Sequence, residues 1–184
     1  LFLESAVFKV SVGQYLIQVE RGALPATYAE YRQHSSLFEE FDVRNPERAH
    51  SFVSISGSTG WPSLVVAQTF SPSLAGFDPG VLLVPETRTL FIGAGERLLA
   101  YCLDPLQRLW IDKCDVGFWC WMQHGRHVIM SAELELAAWD CAGKKLWTTF
   151  VEPPWDYRVD GSRVHLDVMG RKSEFELEKG PLPP

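Results

Sequence analysis

The chain has 184 residues, 46% of them hydrophobic and 22% charged, which fits one globular domain able to bury a sizeable core. Its 23 Asp and Glu outweigh 17 Lys and Arg for a formal net charge of −6, and no basic run interrupts this balance. That argues against a general nucleic-acid or anionic-membrane surface, and no apolar run has the length of a membrane-spanning helix.

In chain order, Leu1 to Val12 includes Glu4 and Lys9 and does not read as a signal peptide. Within it, Ala6 to Val12 alternates as a strand with Phe8, Val10 and Val12 on one face. Gly13-Gln14 marks a turn and Gln14 to Glu20 the returning strand of a hairpin. Pro25 to His34 reads as a short helix that sets Tyr28 and Tyr31 on one face, packed against a sheet. Ser36-Leu-Phe-Glu39 fits a capping box, which predicts a second helical turn ending before Asn45-Pro46. His50 to Ser56 and Ser63 to Phe70 read as strands. The glycine-rich link between them lacks the Gly-Lys-Ser/Thr of a phosphate loop. Ser71 to Gly80, rich in Pro, Gly and Ser, marks the boundary inside a single domain: an α+β subregion (1–79), a repeat-containing β region (80–178) and a tail (179–184).

The repeat dominates the second half. Thr89 to Ala94, Arg97 to Asp104 and Arg108-Leu-Trp110 are matched in order by His127 to Ala132, Glu135 to Asp140 and Gly143-Lys-Lys-Leu-Trp147. Leu90 and Val128 stand 38 residues apart, Trp110 and Trp147 stand 37 apart, and a partial third copy begins at Gly161-Ser-Arg-Val164. This unit resembles the blade repeat of quinoprotein-type β-propellers, in which a Leu-x-Ala-Leu-Asp-like strand is followed by a glycine turn and Leu-Trp. Leu99 to Asp104 and Leu136 to Asp140 stand for the first part; Leu109-Trp110 and Leu146-Trp147 stand for the second. The resemblance implies four-stranded antiparallel units, too few for a closed propeller, and it implies no quinone site. The fold expected is mainly β: an antiparallel meander of blade-like units, either an incomplete propeller or a curved, barrel-like sheet, with one or two short N-terminal helices.

Val116 to Met122 carries the densest aromatic cluster. Strict alternation places Trp119 and Trp121 on one face and Phe118, Cys120 and Met122 on the other. Trp155 and Tyr157, after Pro153-Pro154, extend an aromatic surface, so Trp119, Trp121, Trp155 and Tyr157 are the expected binding residues. Acid–base candidates are Glu133 and Glu135, which alternation puts on one strand face, and His165 with Asp167 on another. No nucleophile elbow accompanies them, and His124 with His127 falls short of the three or four ligands of a zinc site. Glu174 and Glu176 alternate with Phe175 as on a guarded edge strand. The four cysteines, at 102, 114, 120 and 141, have no Cys-x-x-Cys spacing and read as reduced thiols of a cytoplasmic protein. These features point to a non-catalytic interaction protein of a bacterial cytoplasm, immunity-type in one form, that needs no cofactor or metal and binds another protein or itself. The alternatives are a hydrolase working through Glu133, Glu135, His165 and Asp167, and a structural oligomer subunit.

Overall fold

The computed structural model describes residues 6–44, 49–57, 60–71 and 78–182. The first sheet, blade 1, contains β1 (Ala6–Val12), β2 (Tyr15–Gly22), β3 (Leu37–Phe41), β4 (Ala49–Ser56) and β5 (Leu64–Phe70), ordered β1-β2-β4-β5-β3. Helix α1 (Tyr28–His34) precedes β3. Every neighbouring pair is antiparallel except β3 with β5, which is parallel. Blade 2 is β6 (Gly80–Val84), β7 (Thr89–Ala94), β8 (Arg97–Leu103) and β9 (Leu106–Lys113). Blade 3 is β10 (Phe118–His124), β11 (His127–Ala132), β12 (Glu135–Asp140) and β13 (Lys145–Phe150). Blade 4 is β14 (Trp155–Asp160), β15 (Arg163–Val168) and β16 (Arg171–Glu176). The last three blades are antiparallel meanders, so the fold is mainly β and its sheets stack as an incomplete set of propeller blades.

Strand alternation builds the seams. In β11, Val128, Met130 and Ala132 join blade 2's Phe91, Leu98 and Ala100, while Ile129 joins blade 4's Val164 and Leu166. Blade 3 is therefore apolar on both faces, which its near-continuous hydrophobic strands allow. Blades 1 and 2 share a third cluster, in which Ile17, Val53, Val66, Leu90, Ile92 and Leu99 are buried. Polar staples border that seam: Glu39 accepts hydrogen bonds from the Tyr101 hydroxyl and Arg108, both at 2.5 Å. The first strand of blade 3, β10, lies against β6 and β7 of blade 2, and its Trp119 reaches Trp155 of β14; this is called the inner edge below.

Two interlocks fix the blades against one another. Phe118, entering blade 3, lies over the paired Gly80 and Gly93 of blade 2, where a Cβ on Gly93 would sit 2.5 Å from the ring. The second repeats. Trp110 donates its indole N–H to the Gly143 carbonyl at 2.5 Å, and Trp147 donates to the Leu177 carbonyl at 2.6 Å. Trp110 packs on Gly143, and Trp147 covers Gly180. Both glycines have positive φ, +90° and +75°, a backbone region that costs a side-chain-bearing residue. Trp110 to Gly143 and Trp147 to Gly180 are each 33 residues, so a tryptophan meets a left-handed glycine again one module on, with the bonded carbonyl moved from the glycine itself to Leu177.

The two outward faces differ from these seams. On blade 1, Tyr28 and Tyr31 of α1 cover Phe52, Val65 and Ala67. On blade 4, the face turned from blade 3 carries registered rows of charge: Asp156–Asp167–Lys172, Arg158–His165–Glu174 and Asp160–Arg163–Glu176. Like the polar outer faces of terminal repeats in a stacked array, that face has little apolar surface to bury.

Several expectations change. Ser36 to Glu39 caps no helix: Leu37–Phe41 is a strand. Leu37 and Phe41 join the blade 1–2 seam while Phe38 meets α1, and this two-sided burial overrides the local capping signal. The helix itself begins only at Tyr28. Most of the boundary loop at 71–80, and Asn45-Pro46, lie outside the described residues. Gly93→Ala drives a methyl into the Phe118 ring and is expected to cost about 1–3 kcal/mol in urea denaturation. Unchanged stability would contradict the interlock.

Candidate functional site: an aromatic column at the inner edge

β10 does not alternate strictly. Phe118 pairs with Ala132 and Cys120 with Ser131, so Trp119 is the extra residue of a β-bulge. The bulge separates the two tryptophans expected on one face. Phe118 and Trp121 turn together toward blade 2, their ring centroids 5.5 Å apart, and Trp121 also meets Phe91 and Trp139. Trp121 is buried in that core. Trp119 turns toward blade 4.

There Trp119 stacks on Trp155, centroids 5.1 Å apart and planes 3° from parallel. Trp155 stacks in turn on Tyr157 at 6.3 Å, and His124 meets Tyr157 edge-on at 6.1 Å. Strand period places Trp155 and Tyr157 on the same face of β14, and the Trp155 indole N–H is held by the Glu133 carbonyl at 3.0 Å. All four rings are half-buried, and Cys120 and Met122 stand exposed beside them. The site thus joins three of the four expected binding residues with His124 and with Cys120 and Met122, which strict alternation put on the face opposite Trp119. Burial is the main force raising the Tyr157 hydroxyl to about 12; Cys120 and Asp156 add to the rise, and the Ser131 hydroxyl opposes it. Burial lowers the His124 imidazole below its ordinary value.

The acid–base candidates are dispersed. Glu133 lies in the turn before β12, which starts at Glu135, so the two do not share a strand face. Glu135 is buried: its carboxylate accepts from the Asp115 N–H at 3.0 Å and the Thr148 hydroxyl at 2.6 Å, with Lys145 at 3.8 Å. His165 and Asp167 line a concavity of about 570 Å³ on the far face of blade 4, where His165 stands 3.6 Å from Glu174. His124 and His127 face each other across the β10–β11 turn. Among the described residues no group of three or more His, Cys, Asp or Glu is placed to hold a metal. Cys114 and Cys141 are buried, Cys102 is half-buried and Cys120 exposed, all as free thiols. Burial foremost, with Glu135 next, raises Cys114 to about 12.

No protein-family model and no curated protein sequence matches the chain. Among solved structures, the β-propeller domain of the Trilobed protease from Pyrococcus furiosus, described as having an open velcro topology, is similar over 89% of this chain and 48% of its own, at 7% identity and TM-score 0.49. BamB from Moraxella catarrhalis is similar over 91% of this chain and 62% of its own, at 10% identity and TM-score 0.45. Kluyveromyces lactis Hsv2 is similar over 53% and 32%, at 12% identity and TM-score 0.31. The match spans 32% to 62% of the length of these proteins. Among the described residues no helix is long and apolar enough to cross a membrane.

The tyrosine shifts give a pH dependence. Burial raises Tyr28 and Tyr101 as it raises Tyr157, with hydrogen bonds to Glu40 and Glu39 adding to the first two. An unfolded tyrosine ionises near pH 10. A folded value above that keeps the stabilisation whole below about pH 10 and loses it as pH climbs toward and beyond 12. Ultraviolet titration should show tyrosinate appearing together with loss of structure, and Tyr157→Phe should reduce that cooperative amplitude. Full ionisation of all tyrosines in a still-folded protein would contradict the burial of these hydroxyls.

Proposed function

We propose that the chain is a non-catalytic interaction protein that grips another protein along the inner edge of the blade 3–4 seam. The observation that carries this reading is the column Trp119–Trp155–Tyr157, half-exposed and bordered by Cys120 and by Met122, which is 47% exposed. Rigid rings whose backs are packed supply contact area at small entropic cost, which is why aromatic anchors dominate interface energetics. Trp121, on the opposite face of β10, is buried against blade 2. The dispersed carboxylates and histidines lend the hydrolase alternative no comparable support. An acidic chain of net charge −6 suits a basic partner. A toxin-neutralising, immunity-type role in a bacterial cytoplasm is the form of this reading we carry forward, and the free thiols are compatible with it.

Met122→Asp places a charge on this surface without disturbing a buried residue, and Phe150→Asp does the same at the 65% exposed Phe150 on β13, the far edge of blade 3. In quantitative pull-downs from native lysate, the wild-type protein and Phe150→Asp should recover the same stoichiometric partner, and Met122→Asp should lose about 30-fold in affinity, the scale of one hot-spot residue. Failure to recover a stoichiometric partner, or equal recovery by both variants, would remove the reading.

A further inference from the structure

Beside helix α1, the outward face of blade 1 carries a cavity of about 400 Å³. Gln18, Ser54 and Val65 are cross-strand partners on β2, β4 and β5, and α1 covers the Val65 end of that row. The Gln18–Ser54 end, with the neighbouring pair Leu16–Ser56, lines the cavity instead. Tyr31 and Trp61 line it as well. Trp61 is 47% exposed, and His34 stacks on its indole with centroids 4.7 Å apart and planes 18° from parallel. His34 is not among the residues around the cavity, so the imidazole backs the indole on the side turned away from it. The indole is also braced along the chain and from the helix. Tyr31 meets it edge-on at 5.8 Å, and Ser63 gives its N–H and its hydroxyl to the Ile55 carbonyl at 2.8 and 3.2 Å.

The lining is aromatic, aliphatic and neutral-polar, without a charged side chain. Lys9 and Glu20 neighbour Gln18 on the same sheet face but do not line the cavity, and Glu20 accepts from the Gln18 amide. An anion would find no guanidinium or ammonium there, and a cation no carboxylate. An aromatic cage for a quaternary ammonium needs several open ring faces, whereas Tyr31 turns its ring to Phe52 at 5.4 Å and 33°. What the lining offers is one indole face beside the hydroxyls of Ser54 and Ser56, which donate and accept. Gln18 adds a carbonyl oxygen turned away from the engaged NH₂. A pyranose ring matches this set. One of its faces is a patch of C–H groups, drawn to the negative face of an aromatic ring, and its rim carries uncharged hydroxyls. The cavity volume also falls in the ordinary range of small-molecule sites, about 300–1,000 Å³. We propose that this cavity binds a neutral saccharide, one hexopyranose unit stacked on Trp61 with its hydroxyls on Gln18, Ser54 and Ser56. The site lies on blade 1, apart from the aromatic column between blades 3 and 4, and is independent of it.

The test is titration of the isotope-labelled full chain with glucose, galactose, mannose and N-acetylglucosamine. The readouts are the NMR shift of the Trp61 indole N–H and saturation transfer from protein to sugar. The site predicts a saturable shift at millimolar concentration with at least one sugar, as suits so small a ligand, and transfer to the C–H protons of one ring face. Trp61→Ala, at an exposed position, should abolish the transfer, and Trp61→Phe should restore part of it. Gln18→Ala should weaken the sugar about fivefold and serves alone if Trp61→Ala does not fold. Adenine and a proline-rich peptide, which also stack on aromatic rings, are the rival ligands. The proposal is overturned by no saturable response to any of the four sugars, by equal transfer in wild type and variants, or by a response to adenine or the peptide alone.

Discussion

An indole laid over a left-handed glycine, with its N–H bonded to a backbone carbonyl of the next sheet, is the contact on which the stack rests. A sheet buried on both faces can slide against its neighbour, because apolar packing alone is non-directional. The bond from Trp110 to Gly143 and its copy from Trp147 to Leu177 add direction. Each glycine is required by its positive φ, and a side chain would also meet Leu109 at Gly143 and the Trp147 ring at Gly180. Phe118 performs the related service at the inner edge, on Gly80 and Gly93. Between them these contacts fix both ends of the blade 2–3 seam.

Such a stack has two ends and an open inner edge. Helix α1 covers one outward face, and rows of charged residues occupy the other. At the inner edge the stacked rings of Trp119, Trp155 and Tyr157 remain partly exposed. The β10 bulge matters here more than the number of tryptophans. By turning Trp119 away from Trp121, it sends one ring to the core and the other to the column, and it brings Cys120 and Met122 beside that column.

Much of the architecture was legible in the sequence because the repeat carries its own physics. Leu109-Trp110 and Leu146-Trp147 announced equivalent strands, and each indole bonds a backbone carbonyl beside a left-handed glycine, although Trp110 is half-buried against Trp139 and Trp147 is buried against Phe175. Gly180 was the missed part of the same signal: it lies 37 residues beyond Gly143, where the third copy has otherwise decayed. Strand β3 was misread because a capping box is a four-residue pattern, whereas the parallel pairing of Leu37–Phe41 with β5 depends on residues far along the chain. The column was half legible. Composition marked its rings, but the facing of Trp119 and Trp121 required a bulge that no alternation rule reveals.

Hydrogen exchange at the indole nitrogens, read by NMR on the native protein, tests the central contact most directly. The account predicts that the Nε1 protons of Trp110 and Trp147 exchange slowly and with similar protection, and that the proton of the exposed Trp61 exchanges at the rate of free indole. Fast exchange at Trp110 and Trp147, or protection at one without the other, would contradict a repeated interlock between the blades.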